Sequence, residues 1–123
     1  MVKSMADKPI LFPCANPIPE INPDDALEAG AYIVGTGSSE YPNQINNVLV
    51  FPGLFRGALD VRANTVNTEM MLAAAEGIAN CVTDAQLSRE YILPYAYDKA
   101  AHDCVAKSVA QAAIKSGVSK LTK

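Results

Sequence analysis

Three prolines within seven residues, Pro13, Pro17 and Pro19, most tightly limit how this chain can fold. Each proline fixes its own φ and biases the residue before it away from the helical region. The segment 13–19 therefore has to run as an ordered, extended loop. Directly before it stands Pro9-Ile10-Leu11-Phe12, a short apolar run of the kind a buried parallel strand shows. In open α/β sheets, loops that leave the carboxyl ends of strands are where ligands sit.

The same grammar recurs downstream. Pro23 to Ala29 reads as a short helix, with Asn22 as N-cap, Pro23 at the first helical position and Asp24 and Asp25 at the positive end of the dipole. Gly30 is a natural C-terminal stop. A second strand, Ala31-Tyr32-Ile33-Val34, ends at Gly35-Thr36-Gly37 and opens a loop from Ser38 to Gln44. Within the apolar stretch Val48 to Leu59, the chain from Pro52 onward reads as a helix. A further helix spans Thr68 to Val82 with Asn67 as N-cap. Its apolar positions Met71, Ala74, Ala75, Ile78, Ala79 and Val82 fall at helical spacing. The last helix runs from Asp98 to Ser116 with the stripe Ala101, Val105, Val109, Ala112 and Ala113, closed by Gly117. Ile92-Leu93-Pro94 ends any helix before it.

Short apolar strands alternating with helices define an α/β class with a parallel sheet. Two strands cannot by themselves make a parallel sheet that is covered on both faces and has no open edge. The pattern thus implies a fragment, a partner chain or a missing half-domain.

With 123 residues, 50% hydrophobic and 19% charged, the chain is long enough for one compact core. The net charge of −3 and scattered lysines and arginines leave no concentrated basic face for nucleic acid. Cys14, Cys81 and Cys104 are odd in number and widely spaced, which argues for reduced thiols over a disulfide framework or a zinc knuckle. No apolar run approaches the roughly 20 residues that span a bilayer. Residues 1–8 carry no signal-peptide core. The expectation is a cytoplasmic protein with no membrane segment.

Candidate chemistry concentrates on the two strand-end loops, both of which carry asparagine. An amide offers two donors and an acceptor without charge, so it can orient a hydroxyl and a carboxylate while another group moves the proton. For Asn16, held by the following Pro17, turn formation is the competing explanation. Gly35-Thr36-Gly37 lacks the third glycine of a dinucleotide fingerprint and reads better as a tight turn at the strand end. His102, the one histidine, has no neighbouring ligand-type residue in a metal-binding pattern and reads as structural or solvent-facing. Asp7, Asp24 and Asp25 read as capping and solvation charges.

Beyond these local features, a series of linked motifs runs along the chain. Ala15-Asn16-Pro17-Ile18-Pro19-Glu20-Ile21 is followed by Tyr32-Ile33-Val34-Gly35-Thr36-Gly37. Tyr41-Pro42-Asn43-Gln44-Ile45-Asn46-Asn47 comes next, then Phe51-Pro52-Gly53-Leu54-Phe55-Arg56-Gly57-Ala58-Leu59-Asp60, with Ile92-Leu93-Pro94 and Asp98 downstream. In order and spacing this closely resembles malic enzymes of the bacterial type. The resemblance covers nearly the whole chain.

It implies the C-terminal portion of a Rossmann-like parallel-sheet domain with long C-terminal helices, residues 1–123 forming part of a nucleotide-binding domain. The family oxidises malate with NAD or NADP to pyruvate and carbon dioxide, using Mg2+ or Mn2+. The resemblance places substrate contacts at Asn16 and Asn46 and cofactor contacts at Ala15 and Asn16. It assigns no catalytic residue and no metal ligand to this chain. The family's catalytic tyrosine and lysine, metal carboxylates and glycine-rich turn belong to earlier segments. The implied partners are malate, the remainder of a malic enzyme chain and further copies in a homo-oligomer. One departure stands out: the family's usual G-R-S-D is Gly37-Ser38-Ser39-Glu40 here, which removes an arginine but leaves the backbone turn. Two alternatives remain open, a non-catalytic assembly module and a weak nucleotide-binding module.

Overall fold

The computed structural model describes residues 1–120. The chain forms two compact units: Met1–Asn46 with Asp84–Leu93, and Asn47–Thr83 with the chain from Pro94 onward.

The first unit holds two parallel strands, β1 (Ile10–Leu11) and β2 (Ile33–Val34), in register Ile10 to Ile33 and Leu11 to Val34. Helix α1 (Pro23–Glu28) connects them. It forms for the local reasons its sequence carries. Asn22 is extended and its side chain accepts from the Asp24 amide at 2.9 Å, and Gly30 stops the helix at φ 110°. Ala26, Ala31 and Val34 make the buried centre, with Val2, Leu11 and Ile21 packed against it. No helix interrupts the segment 13–19, and the Asn16–Pro17 peptide is cis.

The second unit is helical. Helix α2 spans Phe51–Asp60, α3 Thr68–Asn80 and α4 Lys99–Lys115. Asn67 caps α3 by accepting from the Met70 amide at 2.9 Å, and Asp98 caps α4 by accepting from Ala100 at 3.0 Å. On α4 the buried stripe is Ala101, Val105, Val109 and Ala113, each fully enclosed; Ala112 is only half-buried.

The α3 stripe differs from the expected one. The buried positions are Met70, Ala74, Gly77 and Ile78, whereas Met71, Ala75 and Ala79 face outward. The cause is Gly77. A Cβ there would lie 2.9 Å from Ser108 Oγ and 3.2 Å from the Cys104 carbonyl, so α4 approaches α3 where a side chain is missing. α2 is built alike: a Cβ at Gly53 would stand 2.7 Å from Val105 Cβ, and one at Gly57 would collide with the Ala106 carbonyl. On both helices the bare glycine backbone, beside apolar side chains, sets the buried face.

Among the described residues no helix is long and apolar enough to cross a membrane.

Candidate functional site

Because β1 and β2 run parallel, their carboxyl ends open on the same edge, and the two exit loops meet there. The β2 exit is held from below. The Ile45 amide donates to the Thr36 carbonyl at 2.7 Å, and Gln44 Nε2 donates to the Gly37 carbonyl at 3.4 Å. Thr36 is almost wholly buried, and its hydroxyl accepts from the Ser38 amide at 3.2 Å. Ser38 Oγ in turn accepts from the Glu40 amide at 3.2 Å, so the 37–40 turn survives without the arginine.

The β1 exit lies against this loop. A Cβ at Gly37 would stand 3.0 Å from Asn16 Oδ1, and one at Gly35 would stand 3.0 Å from the Asn43 carbonyl. The positive-φ glycines among the described residues are Gly30 and Gly117, not Gly35 or Gly37. The two glycines make room for neighbours, and the turn after the strand end is held by the Thr36 and Ser38 hydroxyls. Glu20 ties down the far side of the proline loop by accepting from the Ala15 amide at 3.0 Å. That backbone bond, with one from its own amide, lowers the Glu20 carboxyl pKa below the ordinary 4.5.

The two loops enclose a cleft of about 360 Å³ whose lining includes Ala15, Asn16, Pro17, Thr36, Gly37 and Ser38. Ala15 and Asn16 are thus brought together with the β2 tip. Asn46 is half-buried two residues beyond Gln44, which does line the cleft; Asn46 itself is not in that lining. The groups facing the cleft are mostly neutral hydrogen-bonding groups, suited to an amide or hydroxyl of a ligand, and Glu40 adds one carboxylate at its rim. Among the described residues no three His, Cys, Asp or Glu side chains gather where they could hold a metal ion. At His102, Nε2 lies 2.9 Å from the Ala96 carbonyl, and Nδ1 is buried without a hydrogen-bond partner among the described residues.

Sequence reasoning missed Asn43 and Arg89. Asn43 is buried at φ 60°, a left-handed conformation that asparagine tolerates better than most residues. Its Nδ2 donates to the Val34 carbonyl at 3.2 Å and the Arg89 carbonyl at 2.8 Å, and its Oδ1 accepts from the Ile92 amide at 2.9 Å. One side chain thus sews the returning segment 84–93 to the end of β2. Arg89 answers from the returning segment: Nε donates to the Tyr32 carbonyl at 2.7 Å, Nη2 to that of Ala31 at 3.3 Å, and the guanidinium lies 4.4 Å from the Tyr32 ring centre. The available signal was an asparagine following Pro42 in a loop, which marks a left-handed turn position.

Parallel strands with a cleft at their shared carboxyl edge define a piece of an open α/β domain, the edge where ligands of such folds sit. The chain belongs to the malic enzyme NAD-binding domain family, whose model matches residues 1–116. It is 57% identical over 122 residues to the bifunctional malic/malolactic enzyme of Bacillus subtilis, covering 99% of this chain and 30% of that protein. It is 51% identical to the NAD-dependent malic enzyme of Geobacillus stearothermophilus, covering 97% of this chain and 25% of that protein. The crystal structure of a malic enzyme from Pyrococcus horikoshii superposes with a TM-score of 0.93 at 50% identity, over 97% of this chain and 27% of the other. The chain therefore spans less than a third of the length of these relatives. Its fold is that of part of a Rossmann-like α/β domain.

Proposed function

We propose that this chain is the substrate-facing part of a malic enzyme nucleotide domain, working in the NAD(P)-dependent oxidative decarboxylation of malate to pyruvate and carbon dioxide. The observation that carries it is the Asn16 amide resting over Gly37 at the shared carboxyl edge of β1 and β2. In this role Asn16 and Asn46 hold malate, and Ala15 and Asn16 lie against the cofactor. An uncharged amide orients the C2 hydroxyl and a carboxylate without competing for the proton. A bound NAD or NADP would supply the hydride acceptor; this chain's residues contribute orientation, which alone is worth several powers of ten in rate. Proton transfer and metal binding fall to segments outside residues 1–123, and the complete enzyme is a cytoplasmic homo-oligomer.

Support comes from the family match and from relatives that are malic enzymes. The test is complementation. The chain is mixed with a separately made N-terminal part of a related malic enzyme, and reduced cofactor is followed in the presence of malate and Mn2+. Activity is expected only in the mixture. Malate oxidation by residues 1–123 alone, after contaminant removal, refutes the assignment.

A further inference from the structure

A second cavity, separate from the cleft, lies within the first unit. It is bounded by α1, β2 and the returning segment 84–93, and its volume is about 280 Å³. Pro23, Val34 and Asn43 are buried in its wall, and the Tyr32 and Tyr41 side chains are half-buried there. The polar groups of this wall are already engaged. Asn43 Nδ2 donates twice and its Oδ1 accepts from the Ile92 amide. The Val34 carbonyl is taken by Asn43 and the Tyr32 carbonyl by Arg89. What remains for a ligand is proline, valine and tyrosine surface, an apolar bed. The charged groups of the lining are Arg89, Asp24 and Glu90, all on exposed residues. Arg89 is held in place by its bonds to the Tyr32 and Ala31 carbonyls at 2.7 and 3.3 Å and by the Tyr32 ring. Those carbonyls are uncharged, and among the described residues no carboxylate pairs with its guanidinium. Lys8 Nζ, 5.3 Å from the centre of the same ring, adds a second positive charge. Nη1 of Arg89 thus keeps its N–H groups, and the charge, for a further acceptor.

We propose that this cavity binds a free α-amino acid with an apolar side chain. The ligand carboxylate lies on Arg89 Nη1, its ammonium faces Asp24 and Glu90, and its side chain rests against Tyr32, Tyr41 and Val34. The charges select this class. A simple anion would meet Arg89 but also two carboxylates. A simple cation would meet the carboxylates but also a guanidinium fixed in position. An α-amino acid carries both charges on one carbon and satisfies both signs at once, while its third substituent covers the apolar bed. The Tyr41 hydroxyl accepts from Asn22 Nδ2 at 3.2 Å and keeps its own proton to donate to the ligand carboxylate. Aromatic or branched side chains suit a wall made of tyrosine, proline and valine, and glycine would leave that wall wet. The inference is independent of the malate reading, because no residue of this cavity is assigned to malate or to the cofactor.

The experiment titrates the full chain, labelled with nitrogen-15, with L-phenylalanine and follows backbone amide shifts by NMR. Three relatives of the probe are run beside it: 3-phenylpropionate, which lacks the ammonium, phenethylamine, which lacks the carboxylate, and glycine, which lacks the apolar body. L-Phenylalanine should give saturable shifts at Tyr32, Val34, Asn43 and Arg89, with a dissociation constant in the millimolar range. Each of the three relatives should bind at least about tenfold more weakly, the loss of one contact. Glu90→Gln, at an exposed residue, should weaken L-phenylalanine binding by a few-fold, as for a surface charge pair. Arg89→Ala should abolish it. Should Arg89→Ala fail to fold for want of its bonds to β2, the comparison of the four probes on the wild-type chain still decides. The assignment is overturned if L-phenylalanine gives no saturable shift at tens of millimolar, or if 3-phenylpropionate or phenethylamine binds as well as the amino acid. It is equally overturned if the shifts fall on Ala15, Asn16 and Gly37 of the cleft instead.

Discussion

Replacing Asn43 by alanine tests how the β2 end is held. Asn43 is buried and makes three hydrogen bonds, to the Val34 and Arg89 carbonyls and from the Ile92 amide. Each such bond contributes about 1 kcal/mol net, so their loss costs about 3 kcal/mol. Alanine at φ 60° adds about 1 kcal/mol of left-handed strain that asparagine largely escapes. The total of about 4 kcal/mol is a large fraction of the stability of a domain of this size. Glycine at this position loses the hydrogen bonds but not the backbone comfort, so Asn43→Gly should fall between wild type and Asn43→Ala. Aspartate is expected to be worst, since one carboxylate oxygen then faces two carbonyl oxygens in a buried place. Urea unfolding followed by circular dichroism gives the order. Hydrogen exchange at the Ile92 amide gives the local effect, which should be a loss of protection in every variant. An Asn43→Ala chain within about 0.5 kcal/mol of wild type would refute the reasoning, since that is the scatter of ordinary surface substitutions. So would an Ile92 amide that stays protected.

Three further outcomes follow from the geometry. In the complemented enzyme, Asn16→Ala should lower kcat/KM for malate by about 10- to 100-fold, the equivalent of one lost polar contact in a desolvated site, with little change in urea midpoint. Gly57→Ala drives a Cβ into the Ala106 carbonyl, a backbone atom that cannot swing aside; it should cost at least about 2 kcal/mol in urea unfolding, whereas Gly30→Ala should act only through its φ of 110°. Glu20 has a depressed carboxyl pKa, so its bond to the Ala15 amide is present at neutral pH and is lost as pH falls through a value below 4.5. The Ala15 amide chemical shift should report that titration by NMR, and Glu20→Gln should remove it.

Much of the local structure was legible because its causes are local. Helix α1 follows from Asn22, Pro23 and Gly30, all within one short segment. The proline loop likewise could be nothing else, and the linked motifs carried the family with them. The α3 face was read one residue off because periodicity counts apolar side chains, whereas Gly77 buries its backbone against α4 by having none. Asn43 was invisible for a different reason. Its partners Arg89 and Ile92 lie 46 and 49 residues away, and nothing in a loop asparagine announces so distant a contact. Of the two amides expected to grip the substrate, Asn16 lines the cleft at the strand ends and Asn46 stands just outside its lining.

The first unit is assembled from two stretches of chain, with Asp84–Leu93 returning to it after the polypeptide has already begun the second. During synthesis the end of β2 must therefore wait, its asparagine unsatisfied, until Ile92 has emerged from the ribosome. No single protease cut can release either unit whole. A truncation after residue 83 would leave Asn43 without two of its three partners, and anyone wishing to graft this strand pair onto another scaffold must carry both stretches with it.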